Sequence, residues 1–398
     1  TTELRKMCFK GPDGGTYALE RLPMGLRPAC EVAQATTWFL LDFQMAEGVK
    51  VATCIDNVRI LGPKDGVVQA VRQFLARCRA VGAQLDRWPK SDSEEDIVAM
   101  GERSGDFLGE HYNYDTNKRS LTEKTLSKLE TLKKWIDAQP ELKMTARQLS
   151  VMMGLLFWTT SVLAMPLSRD FHLLRDYRQT AARASLAEDY DAVVATLTPT
   201  AVKELHQWLE TAMANEPVDM ASKKFGEPSL CLITDASGVG YGAIATTNFT
   251  DCKVFGGRWS WGQAAKAQSS VWAEPEAIYL ACLRFVRPTD RFVRIFTDHS
   301  PVVYASAAGY AKGFAPNHLL ERLHQTFPGT MFEIVHVQGV YNPTDRISRL
   351  GEATGGDEKL MTAEEMNMLA MLAAEKRVQC SEDNVSVFAH KKRLPFMV

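Results

Sequence analysis

The hydrophobic pattern along this chain has three regimes, and each predicts a different kind of structure. Between residues 7 and 115 short apolar runs alternate with turn residues, as in mixed α/β sequence. "KMCFKGPDGGTYALERL" predicts two short strands around a Pro-Asp-Gly-Gly turn. "ACEVAQATTWFLLDFQMAEG" predicts a helix with its apolar residues on one side. "VATCIDNVRILG", residues 51–62, predicts a hairpin with strands over 51–55 and 58–61 and a two-residue Asp56-Asn57 turn. A helix over "GVVQAVRQFLARCRAVG" closes at Gly82. "SEEDIVAMGERSGD" reads as polar and turn-rich, and "DFLGEHYNY" returns to strand character.

Residues 120–225 carry the helical period. Thr122 can cap a helix whose apolar stripe is Leu126, Leu129, Leu132 and Ile136. Lys124, Lys128, Lys133 and Lys134 decorate its remaining surface, a solvated face with a weak capacity to track phosphates. "TARQ" at 145–148 is a capping box in sequence. It opens the apolar helix "LSVMMGLLFWTTSVLA", which Pro166 ends and whose Met and Trp residues read as core.

From residue 227 the period changes again. "PSLCLITDASGVGYGAIATT" reads as a strand, a glycine-rich bend and a second strand, and "CKVFGGRWS" as a third. A helix ("SVWAEPEAIYLACLRFV"), a strand ("RFVRIFTDHS"), two helices ("PVVYASAAG", "NHLLERLHQTF") and a last strand ("MFEIVHVQGV") follow. The order β-β-β-α-β-α-α-β fits a mixed sheet covered by helices. Residues 352–398 predict a polar helix, "TAEEMNMLAMLAAEKR", and a basic tail with "HKKR". There are no internal repeats.

Composition narrows this picture in three ways. At 398 residues, with 45% hydrophobic and 24% charged, the chain has the make-up of a soluble globular protein of two or three domains. A net charge of -2 excludes a global basic field, so any nucleic-acid contact has to come from local patches. The eight cysteines lack C-x-x-C spacing and form no zinc pattern with the histidines. They read as reduced thiols of an intracellular protein, cytoplasmic or nuclear. No apolar run of about 18 residues predicts a membrane span, and no signal peptide is evident. The first residue is Thr, and strand-like sequence begins at once, so a fragment of a longer polypeptide is expected.

Four acids then stand out in the last regime. Asp235 ends the first strand after "CLIT", and Asp298 ends the fourth after "RIFT". Glu274 sits near the start of the first helix, and Asp345 follows the last strand in "NPTDRISR". Strand ends and helix starts can converge at one edge of a sheet. Carboxylates gathered there repel one another unless cations neutralise them. Oxygen-only clusters suit Mg2+ or Mn2+. Each acid alone has a plainer reading, as a turn former or as a complement to a helix N-terminus.

The ordered set resembles the ribonuclease H domain of retroelement reverse transcriptases. The matching pieces are "TDASGVGYGA", "AEPEAIYLACL", "FTDHSPVVY" and "GVYNPTDRISRL", spread over about 125 residues. The resemblance implies a five-stranded mixed sheet with flanking helices. It implies that Asp235, Glu274, Asp298 and Asp345 bind two Mg2+ or Mn2+ ions for hydrolysis of RNA in RNA-DNA hybrids. His336 would assist product release or serve the structure. Ser237 and Ser300 would touch 2′-hydroxyls or phosphates, or cap turns. Glu276 is a neighbour of Glu274, but two residues on it lies about 200° round the helix. The glycines of "DASGVGYGA" permit a tight turn and let nucleic acid approach the backbone. Actin-like and sugar-kinase folds also open on Asp and a glycine-rich hairpin. They require a second glycine-rich loop and an adenosine pocket further along, which this sequence lacks.

With that domain behind it, "YALERLPMGLRPACEVAQ" resembles the strand-loop-helix of a reverse-transcriptase palm. Pro23, Met24, Gly25 and Leu26 would then lie beneath the incoming nucleotide and template. "CIDN" stands where the family usually has Tyr-x-Asp-Asp, so Asp56, with Asn57 beside it, would be a polymerase metal ligand. An isolated polar turn explains Asp56 as well. "DFLGEHYN" resembles a primer-grip hairpin, and the helix near Thr122 falls where a thumb begins. The Ile-Asp-Asn version, with "GLRPA", is most similar to DIRS-type elements, including the VIPER group.

The expected organisation is α/β (α+β): a partial palm over 1–117, a helical thumb or connection over 118–226, a ribonuclease H-like domain over 227–351 and a helical and basic tail over 352–398. The resemblance implies an RNA template, a DNA primer and RNA-DNA hybrid as partners, dNTPs for the full-length parent, and no membrane. The palm's first aspartate is not in this sequence, so polymerisation by residues 1–398 alone is not expected. The alternative reading is a decayed retroelement relic that only binds nucleic acid.

Overall fold

The chain divides into two compact units, Thr1–Thr116 and Asn117–Val398. The computed structural model describes residues 8–10, 12, 15–18, 27–139, 142–220, 226–249, 251–350, 362 and 364–372. Pro23, Met24, Gly25 and Leu26 lie outside the described residues, as do most of 352–398.

In the first unit β1 (Cys8–Lys10) and β2 (Thr16–Ala18) form an antiparallel pair. α1 (Arg27–Leu41) precedes the hairpin β3 (Lys50–Cys54) and β4 (Asn57–Leu61). α2 (Lys64–Val81) ends where Gly82 turns left-handed at φ 70°. Its Phe74 and Cys78 bury against Leu40 of α1, with Val58, Leu85 and Trp88 packed around them. The segment expected to be turn-rich instead contains a helix, α3 (Glu94–Met100). Ser93 caps it by accepting the Asp96 N–H, and Glu94, Glu95 and Asp96 complement the dipole in its first turn. β5 (Ser104–Phe107) and β6 (Glu110–Asn113) form a hairpin around Leu108 and Gly109, at φ 52° and 82°. The Arg59 guanidinium of β4 lies over the Phe107 and Tyr112 rings of that hairpin, 4.6 and 4.1 Å from their centroids.

The second unit begins with β7 (Lys118–Leu121), which later pairs with β8 (Val218–Asp219). Between them run α4 (Glu123–Asp137), α5 (Ala146–Val162), α6 (Phe171–Ala187) and α7 (Pro199–Ala214). Thr122 caps α4, and Thr145 with Gln148 forms the capping box of α5. Leu129, Ile136, Leu149, Met153, Leu156, Leu205 and Trp208 share one core. Met152 and Met153 are buried there, whereas Trp158 is exposed.

The rest of this unit is a five-stranded sheet in the order β11-β10-β9-β12-β13. β9 (Leu230–Ala236), β10 (Gly240–Thr246) and β11 (Cys252–Arg258) are antiparallel, and β12 (Phe292–Thr297) runs parallel to both β9 and β13 (Met331–His336). This is a ribonuclease H-like arrangement. The central strands are apolar on both faces, which is why they read as continuous runs rather than alternating ones. After the short α8 (Trp261–Ala264), α9 (Ser270–Phe285), α10 (Ser300–Ala308) and α11 (Phe314–Thr326) bury Ile278, Val302 and Leu319 against Leu230, Leu232, Val293 and Ile295. On the other face Cys231, Ile233, Ile244 and Phe296 meet Ile347 of α12 (Asp345–Leu350) and Leu369 and Leu372 of a helix over 364–372. That last helix, expected to be polar, is therefore amphipathic in its described part. Asn317 of α11 donates to the Ser168 carbonyl at 2.6 Å and ties the helices of 123–214 to the sheet layer.

Candidate metal centre

β9 and β12 are adjacent and parallel, so both leave the sheet at one edge. Asp235 is the next-to-last residue of β9, and Asp298 follows Thr297, the last of β12. Glu274 comes to the same place from the second turn of α9. One carboxylate oxygen from each of the three lies within 4.8 Å of the other two. Asp235 and Glu274 are 4% and 5% exposed, and Asp298 is half-buried.

Three carboxylates held this close and this dry cannot all stay charged without a cation. Burial first, then the charges of Asp235 and Asp298, pushes Glu274 up to about 9. Burial likewise raises Asp235 to about 7, against the Ser348 hydroxyl, which favours the charged form. Asp298 is raised by burial, and His336 opposes that. Glu274 Oε1 accepts the Ala236 N–H at 3.2 Å, while its Oε2 is buried with no hydrogen-bond partner. An orphaned carboxylate oxygen costs its full desolvation. A divalent cation among these oxygens would satisfy it and discharge the repulsion, and an all-oxygen set suits Mg2+ or Mn2+. The residues present fit the ion.

Asp345 opens α12 within the field of the triad, raising Asp235, Glu274 and Asp298. It stands outside the three-oxygen group and is held by Arg349, with contacts of 2.7 to 3.0 Å. His336, the last residue of β13, is exposed and sits opposite Thr297. Ser237 is occupied locally: its hydroxyl donates to the Ser348 carbonyl at 2.8 Å and accepts from the N–H groups of Val239 and Gly240. Ser300 starts α10, and its N–H donates to the Asp298 carbonyl at 3.1 Å. Glu276 pairs with Arg322 at 2.6 Å, on the far side of the helix turn from Glu274.

Two glycines of the β9–β10 hairpin make room for a helix. A Cβ on Gly242, the residue opposite Asp235, would lie 2.9 Å from the Ser348 nitrogen and 3.0 Å from Ile347 Cβ. One on Gly240 would lie 3.0 Å from the Ser348 carbonyl oxygen and closer still to the Gly257 carbonyl. What approaches this backbone is α12. Two further residues escaped sequence reasoning. Asn342 donates to the Thr234 carbonyl at 3.0 Å and accepts from the Thr344 hydroxyl at 2.6 Å, clipping the loop before α12 beside Asp235. The Asn-Pro-Thr turn chemistry is its sequence signal. Ser348 stands three residues after Asp345, on the same helix face, and donates to Asp235 Oδ2 at 2.5 Å.

In the first unit Asp56 is exposed, and the Asn57 side-chain amide donates to its Oδ1 at 3.2 Å. Among the described residues no group of three potential ligands includes it. The turn is shifted by one residue from expectation: Cys54 pairs with Asn57, so Ile55 and Asp56 make the bend and Asn57 begins β4. Ile55 takes φ 58°, a conformation that β-branched residues avoid. α1 supplies the compensation. Gln34 Oε1 accepts the Ile55 N–H at 2.7 Å, and the Thr37 hydroxyl donates to the Ile55 carbonyl at 2.6 Å. Gln34 and Trp38 also donate to Thr53.

No family model matches this chain, and no curated protein does. Among solved structures it is similar to the foamy viral protease-reverse transcriptase dRH in complex with ds DNA, at 11% identity and a TM-score of 0.35, covering 83% of this chain and 52% of that one. The foamy viral protease-reverse transcriptase in complex with RNA/DNA hybrid is similar at 12% identity and a TM-score of 0.33, covering 83% and 40%. This chain thus spans about half the length of the solved chains it resembles. Among the described residues no helix is long and apolar enough to cross a membrane.

Proposed function

We propose that residues 227–351 form a ribonuclease H-type nuclease that hydrolyses the RNA strand of RNA-DNA hybrids, within a retroelement reverse transcriptase of DIRS-like type. One observation carries this reading: three carboxylates from three separate elements meet at the sheet edge, with the buried Glu274 Oε2 lacking any partner. Asp235, Glu274 and Asp298 would hold the metal, two Mg2+ or Mn2+ ions when substrate is present, and Asp345 would join them as Arg349 turns away to solvent. Bound there, the ions would supply Lewis-acid stabilisation of the charge that builds on the phosphodiester oxygens. Water adds to phosphorus and the bond to the 3′ oxygen breaks, leaving a 3′-hydroxyl and a 5′-phosphate. Burial of Asp235 and Glu274 keeps bulk water from competing at the reacting edge. His336, exposed at the end of β13, would assist product release.

Residues 1–117 are read as part of a palm, 118–226 as thumb and connection, and 352–398 as a tail. Asp56 on its turn would face the primer end, with RNA template, DNA primer and dNTPs as ligands of the parent enzyme. Among the described residues Asp56 belongs to no group of three potential metal ligands, which argues against synthesis by this unit alone. Primer extension by residues 1–398 is therefore expected to be negligible, and robust synthesis would refute that part.

The nuclease reading is tested with a hybrid carrying labelled RNA, in Mg2+ or Mn2+. Wild type should cleave it and Asp298→Asn should not. Binding of the hybrid by both without cleavage by either would support the decayed, binding-only alternative.

A further inference from the structure

We infer that Ser348 is a positioning residue for the metal-binding carboxylate of Asp235, delivered by α12; the inference rests on the nuclease reading above. Its hydroxyl lies 2.5 Å from Asp235 Oδ2 and 2.9 Å from the Asp345 carbonyl oxygen. A serine in a helix commonly bonds back to the preceding turn, and the second contact is of that kind. The hydroxyl has one hydrogen, however, and a carboxylate is the stronger acceptor, so the shorter, charge-assisted bond takes it. Ser348 is 0% exposed, so water cannot stand in for either partner.

The surrounding residues are arranged to bring this hydroxyl to that oxygen. Gly240 and Gly242 leave out the side chains that would push α12 off β10. Ser237, two residues past Asp235, donates to the Ser348 carbonyl at 2.8 Å and fixes the helix along its axis. Ile347 is buried on the sheet face, and Arg346 is clamped by Glu365 at 2.7 Å, itself held by the Thr362 N–H at 2.7 Å. α12 therefore presents Asp345 and Ser348 together from one face, three residues apart. With one Asp235 oxygen pinned, the carboxylate plane is set before an ion arrives, and no rotational freedom is lost on binding. Hydrogen bonds of this kind to metal ligands govern affinity by about tenfold to a hundredfold.

The test measures Mn2+ binding calorimetrically, and hybrid cleavage against Mn2+ concentration, for wild type, Ser348→Ala and Ser348→Cys. Ser348→Ala should weaken Mn2+ binding about tenfold or more, beside a drop of a few degrees in the Tm of the metal-free protein from the Asp235 oxygen left unpaired. Its maximal cleavage rate should recover at saturating Mn2+. Ser348→Cys keeps a side-chain donor, weaker and somewhat larger, so it should fall between the two, and it carries the test if the alanine variant folds poorly. Equal Mn2+ affinity in all three proteins would overturn the inference. So would a loss of affinity that follows a fall in Tm and is not recovered by added Mn2+. A wild-type protein that binds Mn2+ and cleaves, beside variants that match it, refutes the role of Ser348 alone. A wild type that binds no Mn2+ refutes the nuclease reading as well.

Discussion

Asp235 and Asp56 are both aspartates at the end of an apolar strand, and they live under opposite electrostatic conditions. Asp235 is buried, shares its edge with Glu274 and Asp298, and is pushed up to about 7. Asp56 is exposed on a two-residue bend with an amide for company. The contrast shows which carboxylate has more to gain from a cation. Desolvation and like charge raise the energy of the empty, ionised cluster, so a cation gains from relieving both. A solvated single carboxylate has neither term to relieve. At Asp56 the cost lies in the backbone instead, where Ile55 sits at positive φ and α1 grips the turn through Gln34 and Thr37.

The sharpest way to break this comparison is to remove one member of the crowded set. Asp298→Asn should lower hybrid cleavage by about a thousandfold or more, roughly 4 kcal/mol in barrier, measured at saturating Mg2+. A decrease of less than tenfold would detach Asp298 from the reaction.

The next effect is on stability. Asp235 and Glu274 are raised in the folded protein to about 7 and about 9 from ordinary values of 3.8 and 4.5. Their favourable contribution is complete below about pH 4, where both states are protonated, and is lost as pH climbs through 7 and 9. The Tm of the metal-free protein should therefore fall between pH 5 and pH 9. Asp170, buried outside the site and raised to about 7, adds to the same slope. Mn2+ separates the two, because among the described residues the triad is the one group of three potential ligands and Asp170 is not part of it. At a hundred times its Kd, Mn2+ should restore about 2.7 kcal/mol, and at one fixed Mn2+ concentration the recovery should be larger at the higher pH, where Kd is lower. A pH slope that Mn2+ leaves untouched would assign the effect to Asp170.

Gly242→Ala should cost about 1–3 kcal/mol in urea unfolding, because the new Cβ meets the α12 backbone 2.9 Å away. It should also weaken Mn2+ binding, since α12 carries Ser348. Full stability in this variant would show that α12 moves aside freely. In the first unit Ile55→Gly should stabilise by about 1 kcal/mol, by releasing the strain at φ 58°. Smallest of all, Asp56→Asn should shift stability by less than about 0.5 kcal/mol, and calorimetry should show unchanged Mn2+ stoichiometry.

Much of the sheet was legible because its physics is local. Buried strands announce themselves as apolar runs, and "CLITD" and "RIFTD" each end on the acid that the strand carries to the edge. The capping residues Thr122 and Thr145 were readable for the same reason. The Asp56 hairpin slipped by one residue because Asp-Asn suits a tight turn and isoleucine does not. Two hydrogen bonds from α1 to Ile55 outweighed that preference, and they join residues 18 and 21 apart in sequence. α3 was missed because three acids in a helix's first turn resemble a polar loop. Ser348 reaches across 113 residues to Asp235, and no local pattern encodes that distance. Gly240 and Gly242 were visible as glycines, but the helix they make room for lies a hundred residues further on.

The most direct measurement is Mn2+ titration of the wild-type chain at pH 7 by calorimetry, repeated in buffers of different ionisation enthalpy and in Glu274→Gln. The account expects saturable binding that releases about one proton or more, because Glu274 and part of Asp235 enter the site protonated. Glu274→Gln should remove most of that proton release. Absence of saturable binding, or binding with no proton exchange in either protein, would contradict it.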